Sequence, residues 1–217
     1  MNKTIIYYTG NTERESFEKK VTDNILKLKG DIPVISVSQK PIDFGHNICV
    51  GEVGQSYLNA FRQCLRGCEE AKTPFLVMTE SDCLYPEGYF DFEPTELDTI
   101  YTYDNVWLMW DREHRTHFYK HGTTCGSIVL GREFYIKMLK EGLEGKPEWG
   151  DIKAGPDFFK PELKWKTFTG KPLINIKTRN GVSFGTTLTK GIKPVRSLLY
   201  WGNIDEIRFK YLDTCTK

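Results

Sequence analysis

A chain of 217 residues, 39% hydrophobic and 27% charged, has the makeup of a globular protein, and can bury a core as one generous α/β domain or two small ones. Its 30 Lys and Arg against 29 Asp and Glu leave a formal charge of +1, which excludes an overall basic field able to drive tight nonspecific binding to nucleic acid. No apolar run approaches the ~20 residues that cross a bilayer, the amino terminus lacks signal-peptide architecture, and the six cysteines follow neither zinc-ribbon nor disulfide spacing, so free thiols and a cytoplasmic location are expected.

Residues 3–8 form a β-rich run, turned outward by Thr9, Gly10 and Asn11. Thr12 offers an N-cap with Glu15 completing a capping box, and Phe17, Val21, Ile25 and Leu28 mark the inner face of a helix that stops at Gly30. Thr9, Asn11 and Glu13 then lie at the carboxyl edge of the first strand, where a base or ribose sits in a doubly wound sheet. Residues 33–38 read as a second strand and 41–54 as an irregular segment, whose Gly51 and Gly54 permit close approach to a ligand. Ser56 caps a second helix carrying Tyr57, Phe61, Leu65, Cys68 and Ala71 at helical spacing, and its free amides can receive a phosphate. Cys64 and Cys68 share a face of that helix and are read as core thiols.

Phe75, Leu76, Val77 and Met78 form an unbroken apolar run, which suits a short strand covered on both faces. Glu80 and Asp82 follow at once. Side chains two apart in an extended backbone point the same way, so both carboxylates are expected at the strand's carboxyl end, where open α/β sheets bind ligands. Two anions held together are relieved by a shared proton or a divalent cation, and the cation is favoured; a solvated acidic turn is the alternative. Residues 99–103 and 106–110 are β-rich, with Asp104 and Asn105 as a hairpin turn between them. His114, His117 and His121 lack metal-motif spacing and read as surface loop. Residues 123–130 read as a strand entered through small residues, 132–140 as a helix, and 142–161 as a long Gly/Pro-rich loop of the kind that forms lids. Residues 173–177 are a further strand, and Asn203 with Glu206 opens a last helix pinned by Ile204, Ile207 and Tyr211.

Helix, buried strand, Glu80-Ser81-Asp82 and an apolar-aromatic-Pro exit resemble, in that order, the metal-binding segment of the GT-A glycosyltransferases, as a Glu-x-Asp variant of their Asp-x-Asp element. The resemblance implies a single GT-A-like α/β domain over 1–217, with a Rossmann-like, mixed but mostly parallel sheet flanked by helices. Residues 1–90 would bind the nucleotide sugar and 91–217 the acceptor. It also implies transfer of a sugar from a donor, a UDP-sugar by preference, to an acceptor hydroxyl, with Mn2+ or Mg2+ held by Glu80 and Asp82. Donor contacts would come from Thr9, Asn11, Glu13, Gly54, Ser56, Glu80, Ser81 and Asp82. Gly126 and Ser127 are sugar-side candidates, while Lys40, Lys177 and Arg179 are candidates for the diphosphate oxygens. The strand at 173–177 resembles a family pattern in which histidine follows the basic residue; here Thr178 stands in that place, which removes a third metal ligand. An inverting mechanism needs a carboxylate near the acceptor hydroxyl, and Glu148 is chosen as catalytic over Asp151 and Asp157. Compact transferases of this type resemble enzymes that add sugars to hydroxymethylated pyrimidines in viral DNA, which makes such DNA the first acceptor expected and the host cytoplasm the place. Two alternatives stand beside this one. A nucleotidyltransferase usually carries a Gly-rich basic loop after its first strand, whereas the loop here, residues 9–14, has one glycine. A noncatalytic sugar- or nucleotide-binding module would keep the fold without turnover.

Overall fold

The computed structural model describes residues 2–112, 114–151, 160, 162–182 and 188–212. In chain order the elements are β1 (Lys3–Thr9), α1 (Glu15–Leu28), β2 (Val34–Ser38), β3 (His46–Cys49), α2 (Tyr57–Glu70), β4 (Phe75–Glu80), β5 (Cys83–Leu84), β6 (Thr99–Tyr103), β7 (Val106–Trp110), β8 (Tyr119–His121), β9 (Ile128–Gly131), α3 (Arg132–Leu143), β10 (Lys164–Phe168), β11 (Leu173–Lys177), β12 (Ser197–Leu198), β13 (Gly202–Asn203) and α4 (Ile204–Leu212). Seven strands build the main sheet in the order β10-β6-β9-β4-β1-β2-β3, and four build a second sheet, β5-β11-β7-β8. In the main sheet β9 runs antiparallel to both neighbours, while the other pairings are parallel.

The alternation within the central strands explains this layering. Ile5, Tyr7 and Val77 point into one core, shared with α1, α4 and the second sheet. Ile6, Tyr8, Leu76 and Met78 point into the other, shared with α2 and α3. Successive strand side chains face opposite ways, so a run apolar at every position needs cover on both faces. Burying Leu76 and Met78 contributes about 1.5–3 kcal/mol each. With strands β1 and β4 parallel and adjacent, Tyr8 is in register with Glu80. The carboxyl ends of both strands therefore open on the same side of the sheet. No helix among the described residues is long and apolar enough to cross a membrane.

Several local expectations are corrected. Helix α1 begins at Glu15 behind Arg14, with no side-chain cap; the Thr12 hydroxyl instead donates to the Asn180 carbonyl at 3.3 Å. The Asp104–Asn105 turn closes no hairpin. Strand β6 is buried along its whole length and takes β9 and β10 as neighbours, whereas β7 pairs with β11 and β8. The chain changes sheets at that corner because both strands need cover that a two-stranded ribbon cannot supply. Part of the segment read as irregular pairs with β2 as the edge strand β3. Cys125, Gly126 and Ser127 form a 3₁₀ turn, not strand, closed by the Ser127 N–H donating to the Thr124 carbonyl and the Thr124 N–H donating to Ser127 Oγ, at 3.0 Å each. The helix-start reading at Asn203 agrees with the structure: the Asn203 N–H donates to Glu206 Oε2 at 3.1 Å, and Asn203 Oδ1 accepts from the Asp205 N–H at 2.9 Å.

Candidate functional site

The two carboxylates meet, although not by the extended geometry expected of them. Strand β4 ends at Glu80 and the chain turns through Ser81 and Asp82; the Asp82 carbonyl then accepts from the Ile176 N–H of β11 at 2.7 Å. That turn brings ligand atoms of Glu80, Asp82 and Cys83 within 4.8 Å of one another. Glu80 is anchored at both oxygens, Oε1 accepting from the Tyr8 hydroxyl at 2.7 Å and Oε2 from the Gly126 N–H at 2.9 Å. Beneath it the Tyr85 hydroxyl accepts from the Glu80 N–H at 3.1 Å and donates to the Gly126 carbonyl at 2.7 Å. One phenol thus ties strand β4 to the 3₁₀ turn. Gly126 is required there for space: a Cβ at that position would come within 2.7 Å of Glu80 Oε2.

Asp82 is held from the second sheet. Asn175 and Lys177 are two apart on β11 and so point the same way, while Ile174 and Ile176 enter the core. Asn175 Nδ2 donates to Asp82 Oδ1 at 2.8 Å, and Lys177 Nζ stands 3.8 Å from Asp82 Oδ2. Burial, followed by the charge of Asp82, pushes the Glu80 carboxyl above the usual range, against the opposing pull of Lys177 and of its two hydrogen bonds. For Lys177, burial pushes the pKa down, but the charges of Asp82 and Glu80 outweigh it and the net displacement is upward. The ammonium is the counter-charge of the acid pair. Glu13, near the end of the loop into α1, accepts a hydrogen bond from the Thr178 hydroxyl. Burial raises its carboxyl to about 7 despite that bond, with the charges of Asp82 and Asp111 adding to the rise.

Tyr8, Glu13, Glu80, Asp82, Lys177 and Thr178 line a cavity of about 150 Å³ at the carboxyl ends of β1 and β4. Of the donor contacts expected from sequence, Thr9, Glu13, Gly54, Ser56, Glu80, Ser81 and Asp82 line it. Asn11 does not. With its φ of 51°, its Oδ1 accepts the Gln39 and Lys40 N–H groups at 2.8 Å each and fastens the ends of β1 and β2 together. Ser56 also caps α2, accepting from the Asn59 N–H at 3.1 Å. Of the three basic candidates, Lys177 lines the cavity, Lys40 pairs with Glu52 at 3.3 Å on the surface, and Arg179 borders a neighbouring cavity. Glu148 is not brought to the acid pair: it makes an exposed ion pair with Arg66 at 3.0 Å. Asp151 is exposed, and Asp157 lies outside the described residues. Ser127 is buried beside Gly126. Among the described residues the histidines at 114, 117 and 121 join no metal-ligand cluster, and Cys64 and Cys68 are buried in the core. Sequence reasoning missed Tyr8, Tyr85 and Asn175. The polar residues at 175 and 177 between core isoleucines were a readable signal for a strand facing the site, but nothing local distinguishes Tyr8 or Tyr85 from other core aromatics.

The donor set fits a divalent cation. Each Glu80 oxygen accepts one hydrogen bond and so keeps a lone pair for an ion, and Asp82 has Oδ2 for one beside an Oδ1 that accepts from Asn175 and Cys83; hard oxygen donors suit Mg2+ or Mn2+. The Cys83 thiol is held neutral, its pKa pushed up by burial and by the acid pair, and is not counted among the ligands. Glu13, Glu80 and Asp82 face one cationic side chain, Lys177, among the cavity's described lining residues, so an anionic ligand there requires further positive charge.

No family model and no curated protein matches the sequence. Solved structures do resemble it. Residues 1–349 of S. aureus TarS, in complex with UDP-GlcNAc, superpose with a TM-score of 0.51 at 13% identity, covering 86% of this chain and 62% of that one. The inositol-1-phosphate CTP transferase from T. maritima superposes with a TM-score of 0.50 at 12% identity, covering 82% of this chain and 90% of that one. The chain thus spans about three fifths of the TarS fragment. At such identities the likeness is one of fold: this chain has a GT-A-like fold, a mixed and mostly parallel sheet flanked by helices.

Proposed function

We propose that the chain transfers a sugar from a nucleotide-sugar donor, a UDP-sugar by preference, to an acceptor hydroxyl. The observation that carries this reading is the convergence of Glu80, Asp82 and Lys177 on one cavity at the carboxyl edge of a GT-A-like sheet. Glu80 and Asp82 would hold Mn2+ or Mg2+, which when bound supplies positive charge to the departing diphosphate. Lys177 adds a fixed positive charge beside it, in a site whose walls weaken solvent screening. Tyr8, Gly126 and Asn175 keep the carboxylates in place, so little reorganisation is needed when the donor arrives. Thr9, Gly54, Ser56 and Ser81 are proposed for the nucleotide and ribose.

A nucleotidyl transfer reading shares the fold. The cavity is poorer in cations than a triphosphate requires, because Arg14 of the first loop borders the neighbouring cavity and not this one. For the acceptor we propose, on the family resemblance, a hydroxymethylated pyrimidine in DNA, met in the cytoplasm. The test is turnover of a panel of UDP-sugars, GDP-mannose and CTP with and without Mn2+, in wild type and Asp82→Asn, followed by an intact-mass search for a sugar on hydroxymethylated oligonucleotides, saccharides and proteins. Turnover of UDP-sugars that needs the divalent ion and is lost in Asp82→Asn supports the reading. Equal, ion-independent behaviour of the variant, or turnover of CTP alone, rejects it.

A further inference from the structure

A second cavity, of about 640 Å³, adjoins the first, and Glu13 and Thr178 line both. One side of this shared wall carries the acid pair and Lys177. On the other side the cavity is bordered by Arg14, Asp111, His114 and Arg179, a set of hydrogen-bonding groups suited to a polar ligand that carries a hydroxyl. Asp111 is fixed through Oδ2, which accepts the Arg179 N–H at 3.0 Å, while its Oδ1 is buried without a partner among the described residues. Glu13 does not belong to the ion-binding pair, and the hydrogen bond from Thr178 orients it from the end of β11.

We propose that the second cavity seats the acceptor and that Glu13 is the general base of the transfer. This rests on the sugar-transfer reading given above and names the carboxylate that reading lacks. In the step, an acceptor oxygen forms a bond to the anomeric carbon as the bond from that carbon to the diphosphate oxygen breaks. The electron pair leaves with the nucleoside diphosphate, and the acceptor proton passes to Glu13. A single displacement of this kind inverts the anomeric centre. Asp82 from the turn after β4, Asp111 from just past the end of β7 and Glu18 from α1 act on Glu13 by their charge, and Arg14, His114, Lys177 and Arg179 line the two cavities it borders. Burial, opposed by the Thr178 hydrogen bond and joined by the charges of Asp82, Asp111 and Glu18, raises the carboxyl to about 7, the range in which a base works best near neutrality.

Water can stand in for the acceptor, so the test is hydrolysis of UDP-glucose, UDP-galactose and UDP-N-acetylglucosamine with Mn2+, followed from about pH 5 to about pH 9. Glu13→Gln is expected to lower the saturated rate by about 10²-fold while donor affinity, measured by calorimetry, stays within about threefold. The wild-type rate should rise with pH as the Glu13 carboxyl loses its proton, and the variant should lose that rise. Proton NMR of the sugar first released should show the inverted anomer. Thr178→Val keeps the carboxyl but removes the bond that lowers its pKa, and is expected to move the rise to higher pH. An unchanged rate and profile in Glu13→Gln, a lost donor affinity with the saturated rate kept, an unmoved profile in Thr178→Val, or release of the retained anomer each overturns the proposal. A wild type that hydrolyses no sugar nucleotide overturns the sugar-transfer reading and this assignment with it.

Discussion

Replacing Gly126 by alanine tests whether the acid pair is as tightly built as its hydrogen bonds imply. A Cβ at this position would stand 2.7 Å from Glu80 Oε2, 2.9 Å from its Cγ and 3.0 Å from its Cβ, so rotating the carboxylate alone does not make room. The turn cannot retreat freely either, because the Gly126 carbonyl accepts from Tyr85 at 2.7 Å and the Ser127 N–H bonds back to Thr124 at 3.0 Å. Overpacking of this kind costs about 1–3 kcal/mol, and displacing Glu80 forfeits hydrogen bonds to a charged acceptor worth about 1.5–3 kcal/mol. Since either strain or displacement relieves part of the other, we expect a net loss of about 2–4 kcal/mol, or about 5–15 °C in Tm for a chain of this size. The assay is thermal and urea unfolding of Gly126→Ala beside Gly122→Ala, whose added Cβ meets nothing within 4 Å. Titration with Mn2+ should show weakened binding in the first variant alone. In a Glu80→Ala background the cost of Gly126→Ala should fall, since Oε2 and Cγ are gone and only the Cβ contact at 3.0 Å remains. A Gly126→Ala protein within about 0.5 kcal/mol of wild type, or an equal cost in both backgrounds, would refute the reasoning.

Two further outcomes follow from the electrostatics. Lys177→Met removes the counter-charge from carboxylates that keep their other partners; with the Lys177 and Asp82 side chains only 15% and 21% exposed, we expect a loss of about 2–3 kcal/mol in urea unfolding without divalent ions, reduced when Mn2+ is added, and a neutral or stabilising effect would contradict the role given to the ammonium. For Glu13, displacement of the carboxyl from 4.5 to about 7 corresponds to about 3 kcal/mol of preference for the protonated form, which partial exposure screens to about half. Between these pH values the folded state holds a proton that the unfolded state has released, so this contribution is complete below pH 4.5 and is lost as pH rises through about 7. Glu13→Gln should therefore flatten the fall in stability over that window by about 1–2 kcal/mol, and identical pH–stability curves would count against the raised carboxyl.

What the sequence determined by itself was local. An unbroken apolar run at residues 75–78 required a strand covered on both faces, helical spacing placed α2, and Glu80 with Asp82 followed directly on the buried strand, so a candidate site at the sheet's carboxyl edge was legible. Only the tertiary structure decided how that pair is held. Tyr8 is 72 residues from Glu80, Gly126 is 46 away, and Asn175 is 93 from Asp82; strand pairing fixes such contacts, and no periodicity along the chain records it. The corner at residues 104–105 is misread for the same reason, because two adjacent strands look alike whether they pair with each other or with distant partners. Glu13 and Thr178 lie 165 residues apart, and the pressure of burial on a carboxyl exists only once the loop after β1 has closed against the end of β11.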